Sequence, residues 1–509
     1  MIHDAHDDRC LNNNARMSMG PRSVVNSSNG CRTHRTRSRR CTMIRSTRVI
    51  IPLAFLLFFS PSAFCQDLEI HHINVGQGDS TLVIGPNQTT ILIDAGDSGY
   101  FSRDGAKIVF EYLESLNITH LDYVIVTHRD ADHVGGFAFS PSPTSRHSLI
   151  LAEREGGDIK SWAGLSGVDD DGNGFPDFMG DDGCSDPVLI PDAAEIGDSG
   201  TDPYFPAIAY DNGEESTIPY CSLTPTFRRY VQTVAAAGIR IPLDNYGELM
   251  DAYNTPIDLG DDATATVVCS SGWVAQNPLR ISGSEGTDSL AVNGRSVGIY
   301  IQYEGFDYLI AGDLTGNDTP HLEQALRDLL VSISDSPAAD PLDVLRINHH
   351  GSNSSSEQSY LADLKPEVAI ISVGDDNTYG LPDQEVIDRL YNIHLQPLKH
   401  IYLTEEGETG RDYYNMPHDF VYHAVVVSTD GEIFTVKNSQ GGLDKYTVDS
   451  CRLCEGDFTD DKDVDGSDLA DFVAAMSNFN PAADFNNDKV VDQSDLVIFG
   501  RKFGRIESL

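Results

Sequence analysis

The chain has 509 residues, enough for two or three domains with a sizeable core. Its 35 Lys and Arg stand against 78 Asp and Glu, a formal net charge of -43 and a pI near 4.4. Such a surface repels polyanions at long range. That excludes a protein that coats nucleic acid by overall charge, but not a local site whose own cations dominate its field.

Residues 1–42 are polar and Arg-rich without hydrophobic periodicity, and no fold is expected there. Met43 opens a basic start (Arg45, Arg48), an apolar run over 49–59 and an exit at Ala63, Phe64 and Cys65. This is the pattern of a secretory leader, with 1–65 as extension plus leader. The apolar run is shorter than the roughly 20 residues a spanning helix needs. The expectation is a secreted protein, extracellular or at the cell surface, with no membrane span after leader removal. Of nine cysteines, Cys184, Cys221, Cys269, Cys451 and Cys454 follow the leader. Export permits disulfides, and Cys184 with Cys221 and Cys451 with Cys454 are the expected pairs.

From residue 68 the pattern reads strand, glycine loop, strand, turn, strand: LEIHHINVG, STLVIG and TTILIDAG. His71 and His72 read as structural. Residues 106–117 show helical spacing, and the β-branched run YVIV then delivers His128, Asp130, Asp132 and His133 to a loop followed by Gly135 and Gly136. Imidazole mixed with carboxylate suits Zn, Mn or Fe(II). Residues 140–221, rich in Gly, Asp, Pro and Ser, read as an insertion. Inside it Asp169, Asp171, Asn173 and Asp177 surround Gly174. The group resembles a thrombospondin type 3 calcium repeat, with a plain acidic loop as the alternative.

Beyond it come the helical YVQTVAAAGI, the strand ATATVVCSS, and a hairpin over 293–313 ending in Asp313. A helix over 321–331 containing His321 follows. LRINHHGSNSSS then sets His349 and His350 at a strand end, and ISVGDDNTYGLP carries Asn377 and Tyr379. Ser352, Ser355 and Ser356 can cap the next helix or contact phosphate. Closing strands HAVVVSTDGEIFTVKN precede an acidic tail whose halves, GDFTDDKDVDGSDLADFV and ADFNNDKVVDQSDLVIFG, align at an offset of 27 residues. Asp457, Thr459, Asp461, Asp463 and Asp468 fill one calcium-loop frame; Asp484, Asn486, Asp488 and Asp495 fill the second.

The run from His128 to His133 resembles the HxHxDH signature of the metallo-β-lactamase superfamily, with Asp130 for the middle His. Together with INVGQGDSTLV, ILIDAG, LIAGD, LRINHHGSNSSS and ISVGDDNTYGLP in order, it is similar to the metallo-hydrolase domain of ComEC-like competence proteins. The tail resembles a type I dockerin, a tandem of half EF-hands. These resemblances imply an α/β fold, an αββα metallo-β-lactamase sandwich over 66–448 with the insertion at about 140–221, and a small all-α calcium-binding, dockerin-like domain over 451–509.

They further imply two divalent cations, Zn or Mn. One is held by His128, Asp130 and Asp313, the other by Asp132, His133, Asp313 and either His349 or His350. Asp132, His349 and His350 would serve catalysis, and Asp79 and Asp94 would orient a ligating imidazole. Ser352, Asn377 and Tyr379 are candidate substrate contacts, Asn377 and Tyr379 against a turn-forming role. Leu381 stands where the family has His. The implied reaction is phosphodiester cleavage, DNA first among substrates, by a water activated between the cations. A phosphocholine ester or a lactone is the alternative substrate, and a scaffold with a structural metal site the alternative class. Calcium in the tail and a cohesin-like partner complete the implied set.

Overall fold

The computed structural model describes residues 67–97, 99, 103–137, 148–150, 154–155, 158–159, 204, 206–213, 222–236, 239–280, 289–316, 322–333, 342–375, 377–393, 398–448, 466–477, 483, 491, 496 and 499. Strands β1 (Leu68–His72), β2 (Thr81–Ile84) and β3 (Thr90–Ile93) form an antiparallel meander of aliphatic and β-branched residues. Helix α1 (Gly105–Ser115) is capped by the Asp104 carboxylate and buries Ala106, Val109, Phe110 and Leu113. It returns the chain to β4 (Tyr123–Val126), parallel to β3. One turn of helix, α2 (Ala131–Val134), follows.

After a short ribbon of β5 (Arg154–Glu155) and β6 (Asp158–Ile159), β7 (Ile208–Asp211) pairs parallel with β4, placing Val124 opposite Ala209. Residues 208–211 therefore belong to the central sheet, which corrects the reading of 140–221 as wholly inserted. Four residues flanked by Gly, Pro and acidic positions give no periodicity to detect; the strand exists because β4 offers it an edge.

Helix α3 (Pro225–Ala236) leads to β8 (Arg240–Pro242), and α4 (Tyr246–Tyr253), capped by Asn245, leads to β9 (Ile257–Gly260). Strand β10 (Ala263–Ser270), β11 (Trp273–Val274), helix α5 (Ser289–Asn293), β12 (Gly298–Tyr303) and β13 (Phe306–Ile310) complete an antiparallel set. Helices then alternate with parallel strands: α6 (Leu322–Ile333), β14 (Val344–Arg346), α7 (Gln358–Leu364), β15 (Val368–Ile371), α8 (Gln384–Ile393), β16 (His400–Leu403) and β17 (His418–Phe420). Continuous apolar runs such as VAII suit strands buried on both faces. Strands β18 (Val425–Thr429), β19 (Ile433–Lys437) and β20 (Leu443–Thr447) return to the start, with Val427 opposite Ile70.

Two nine-stranded mixed sheets result. One runs β20-β19-β18-β1-β2-β3-β4-β7-β8; the other runs β11-β10-β12-β13-β14-β15-β16-β17, with β9 on β10. Ile70, Val83 and Ile93 of the first share a core with Ile299, Ile301 and Tyr308 of the second. Phe110, Phe227 and Tyr230 cover the outer face of the first, and Leu326, Leu361 and Ile387 that of the second. Helices thus sandwich the paired sheets, consistent with a metallo-β-lactamase fold.

Cys269 is buried as a free thiol; the other eight cysteines, the expected pairs Cys184 with Cys221 and Cys451 with Cys454 included, lie outside the described residues. No helix among the described residues is long and apolar enough to cross a membrane. Helix α9 (Gly466–Ser477) forms a small core in which Phe472 stacks on Phe499, ring centroids 4.3 Å apart. The two rings occupy corresponding positions of the sequence repeat, and Asp468 is buried in α9. Every other calcium-loop residue named above, Asp169 to Asp177 included, lies outside the described residues, as do His321 and the leader.

Candidate metal centre

The carboxyl ends of β3, β4, β13, β14 and β15 meet along one edge of the sandwich and supply, in turn, Asp94, His128, Asp313, the 348–351 turn and Ser372. Gly78 lets the GQGD loop close on the ligand loop: a Cβ there would sit 2.4 Å from the Asp132 carbonyl oxygen. In return the Asp79 N–H donates to that carbonyl at 3.0 Å.

His133 is fully buried. Its Nδ1 donates to Asp94 Oδ2 at 2.8 Å, and its Nε2 points at Asp313 Oδ2, 3.3 Å away, so Nε2 is the nitrogen it could offer a cation once the ring is neutral. Asp94 is itself fixed by the Thr127 N–H at 2.8 Å and the Thr127 hydroxyl at 2.6 Å. His350 has the same logic: Nδ1 donates to the Ser372 carbonyl at 2.8 Å, and Nε2 faces Asp132 Oδ2 at 3.4 Å and Asp313 Oδ2 at 3.6 Å. Asp79, His133, Asp313 and His350 each offer an atom within 4.8 Å of the others, and all four are buried.

His128 Nε2 lies 3.7 Å from Asp130 Oδ2 and 4.0 Å from Asp313 Oδ2, so the outer part of the ligand loop shares Asp313 with the buried group. His349 is the more exposed of the adjacent pair. Its Nε2 is 3.6 Å from Asp313 Oδ2, and its ring meets the Asn293 amide at 3.1 Å and the Ser354 hydroxyl at 3.2 Å. Both His349 and His350 take left-handed backbone angles, φ 51° and 52°, which aim the two rings into one space.

Burial works against charge on His133, yet Asp313, Asp94 and Asp132 hold its pKa well above the ordinary imidazole value. Burial likewise opposes the Asp313 carboxylate, but His133, His350 and His349 keep its pKa well below the usual range. Among the described residues, the buried polar atoms without a hydrogen-bond partner include five in this pocket: Nε2 of His128, His133 and His350, and Oδ1 of Asp79 and Asp313. Orphaned imidazole nitrogens and carboxylate oxygens in one pocket match the donor set that a divalent cation of borderline hardness takes.

Several sequence expectations shift. Asp79, read as a carboxylate that orients a ligating imidazole, also offers an oxygen within 4.8 Å of the atoms offered by His133, Asp313 and His350. Asn377 is not free for substrate: its amide donates to the Gly374 and Leu381 carbonyls and its oxygen accepts the Leu381 N–H, stapling its own loop. Helix α7 is preceded by Glu357, and no serine side chain caps it. Ser356 Oγ instead accepts the Asn348 N–H, and Ser352 Oγ meets Ser354 Oγ at 3.1 Å. Leu381 is buried in the apolar core of the second sheet. Tyr379 is 69% exposed. Thr127, Asn293, Ser372 and Arg346 were not anticipated. Only Arg346 had a sequence signal, a lone charge inside the apolar run before the two histidines.

The Metallo-beta-lactamase superfamily pattern matches residues 73–145. The chain is 22% identical to ComE operon protein 3 of Bacillus subtilis over 357 residues, 68% of this chain and 33% of that protein. It is 42% identical to Recombination protein 2 of Haemophilus influenzae over 50 residues, 10% of this chain and 6% of that protein. It therefore spans a third or less of these relatives' length. Among solved structures it is similar to a metal-dependent hydrolase of the β-lactamase superfamily (11% identity, 64% of this chain and 92% of that one, TM-score 0.30). It is also similar to a diphosphatase from the PhnP family (10% identity, 72% and 97%, TM-score 0.30).

Proposed function

We propose that the chain is an exported metal-dependent hydrolase that cleaves a phosphodiester with two divalent cations and is tethered through its C-terminal calcium-binding module. The observation that carries this reading is the convergence of partnerless buried side-chain nitrogens and oxygens from His128, His133, His350, Asp79 and Asp313 on one pocket. Charge supports two cations over one. Asp79, Asp94, Asp130, Asp132 and Asp313 bring five carboxylates against the single guanidinium of Arg346, a surplus of negative charge that divalent ions displacing the proton of His133 would offset.

His128, Asp130 and Asp313 would hold one ion; His133, His350, Asp313 and Asp132 the other, with Asp79 against it. Bound ions supply the Lewis acidity that activates water and offsets charge at phosphorus. Among the chain's own groups, Asp94 and Ser372 fix the imidazole tautomers. His349, propped by Asn293 and Ser354, stands on the open side where it can hydrogen-bond a substrate oxygen. Zn or Mn fits the mixed donor set.

A second reading of the substrate has its own support. Asp130 and Asp132 keep 38% and 28% of their side chains exposed at the mouth, and the chain carries -43 overall, so a small ester such as a phosphocholine ester or a lactone meets less repulsion than DNA. For the tail, the in-register repeat and the Phe472–Phe499 stack support a dockerin-like unit that takes Ca²⁺ and docks on a cohesin-like partner. The leader-like segment at 43–65 supports export.

The test is metal-reconstituted protein, with Zn²⁺ or Mn²⁺, against single-stranded DNA, bis-p-nitrophenyl phosphate, a phosphocholine ester and lactones. Turnover of the diester that Asp313→Ala abolishes is expected. Bound metal with no turnover of any substrate would replace the hydrolase with a binding protein whose metal is structural.

A further inference from the structure

Arg346 ends β14, fully buried, with nothing in the proposed chemistry to do. Its guanidinium lies beneath the metal pocket. Nη2 donates to Asp79 Oδ2 and lies 3.4 Å from His350 Nδ1; Nη1 donates to the Gly312 carbonyl and lies 3.8 Å from Asp313 Oδ1. One planar group thus touches the loops that bring Asp79 and Asp313, which are 234 positions apart in sequence. A lysine ammonium would not span both acceptors in this way.

A permanent cation under a cation site can act in two opposite ways. As a competitor it would weaken metal binding, and removing it would tighten the site. As a brace it would hold a carboxylate ionised and oriented, and removing it would loosen the site. The Asp79 contacts favour the brace. Arg346 occupies only Oδ2; Oδ1 is buried without a partner, and Asp79 lies within ligating reach of His133, Asp313 and His350. Without the guanidinium, the side chain of Asp79 keeps no hydrogen-bond donor among the described contacts; His133 Nδ1, 3.8 Å from Oδ2, already serves Asp94.

We propose that Arg346 is a positioning residue of the metal centre, fixing Asp79 through Oδ2 so that Oδ1 serves as a further ligand beside His133, His350 and Asp313. This rests on the metal-centre reading above. The test uses full-length protein stripped of metal and titrated with Zn²⁺ against a chromophoric chelator, with equivalents of Zn²⁺ and Mn²⁺ counted by elemental analysis.

Two equivalents are expected for the unaltered protein. Arg346→Met and Asp79→Asn should each weaken one equivalent by roughly 10- to 100-fold, the range for partners that orient a ligand. Arg346→Lys should fall between. The double variant Asp79→Asn with Arg346→Met leaves no lone buried charge, so it keeps the test open if Arg346→Met does not fold. It should bind no worse than the weaker single variant, because both act through one contact. Unchanged or tighter binding by Arg346→Met, or losses that add in the double variant, would overturn the brace while leaving the metal centre intact. Failure of the unaltered protein to take up any divalent ion would overturn both.

Discussion

His349 and His350 are equivalent in sequence, and what separates them is the partner of each Nδ1. His350 gives its proton to a carbonyl and keeps a buried lone pair for the pocket, whereas His349 leans on a hydroxyl and an amide at the exposed side. Sequence shows the residue type and its place at a strand end; it does not show the carbonyl of Ser372, which another strand supplies. His72 teaches the same lesson in the core. It is fully buried, with Nε2 2.7 Å from the Tyr308 hydroxyl and Nδ1 3.2 Å from Thr81 Oγ1. Burial, then the charges of Arg346 and His71, push its pKa down to about 3. Above pH 6.5 the imidazole is neutral in both folded and unfolded chains. As pH falls from 6.5 toward 3 only the unfolded chain takes up the proton, so folding stability drops with acid, by up to about 1.4 kcal/mol per pH unit. Urea unfolding of the unaltered protein and of His72→Gln at pH 7, 5.5 and 4.5 checks this. The variant should lose about one proton's worth of slope, and parallel slopes would assign the acid sensitivity to other groups.

At the scale of elements, the strands that end at the site were legible because β-branched runs and terminal Asp or His residues coincide, as in YVIV before His128 and FDYLI before Asp313. The ribbon of β7 and β8 was not, since its short segments gain strand character only from neighbours. Nor was the clamp on the histidine turn. Glu323, buried in α6, accepts hydrogen bonds from Asn348 Nδ2 at 2.7 Å and from the backbone N–H groups of Ser356 and Glu357. It thereby grips both ends of the turn that carries His349 and His350. The sequence shows only a Glu in the first turn of an amphipathic helix, where a solvated role is the ordinary expectation. Burial raises its pKa to about 7 despite the three donors, so near neutrality loss of the charge alone removes little. Glu323→Gln keeps one oxygen for Asn348 and Ser356 but sets its NH2 against the Glu357 N–H, so it should cost about 1 kcal/mol, less than removal of the side chain. Glu323→Ala strands three buried donors and should cost on the order of 3 kcal/mol or more in thermal unfolding. It should also weaken metal uptake, since the turn is no longer held. Equal losses for Gln and Ala would show that the helix packing, not the clamp, is what the substitutions disturb.

Across the whole molecule, charge and site pull in opposite directions. A nuclease ordinarily gains affinity for its substrate from a basic surface, and added salt then weakens binding. Here 78 acidic residues face 35 basic ones, and two partly exposed aspartates stand at the pocket mouth, so under the proposed function attraction for a phosphodiester would come from cations bound in the pocket. The field outside repels a polyanion over about a Debye length, roughly 10 Å at 0.1 M salt, and screening shortens that reach. The sign of the salt dependence consequently inverts. For single-stranded DNA, kcat/KM should rise several-fold between 20 and 200 mM of a non-coordinating salt, because repulsion is screened before the buried site feels the change. For bis-p-nitrophenyl phosphate, with a single charge, the same range should move kcat/KM by less than about twofold. Steady-state rates for the two substrates at matched Mn²⁺ concentration provide the measurement. A fall in the DNA rate with salt would mean that a local basic track guides the strand, against the overall charge.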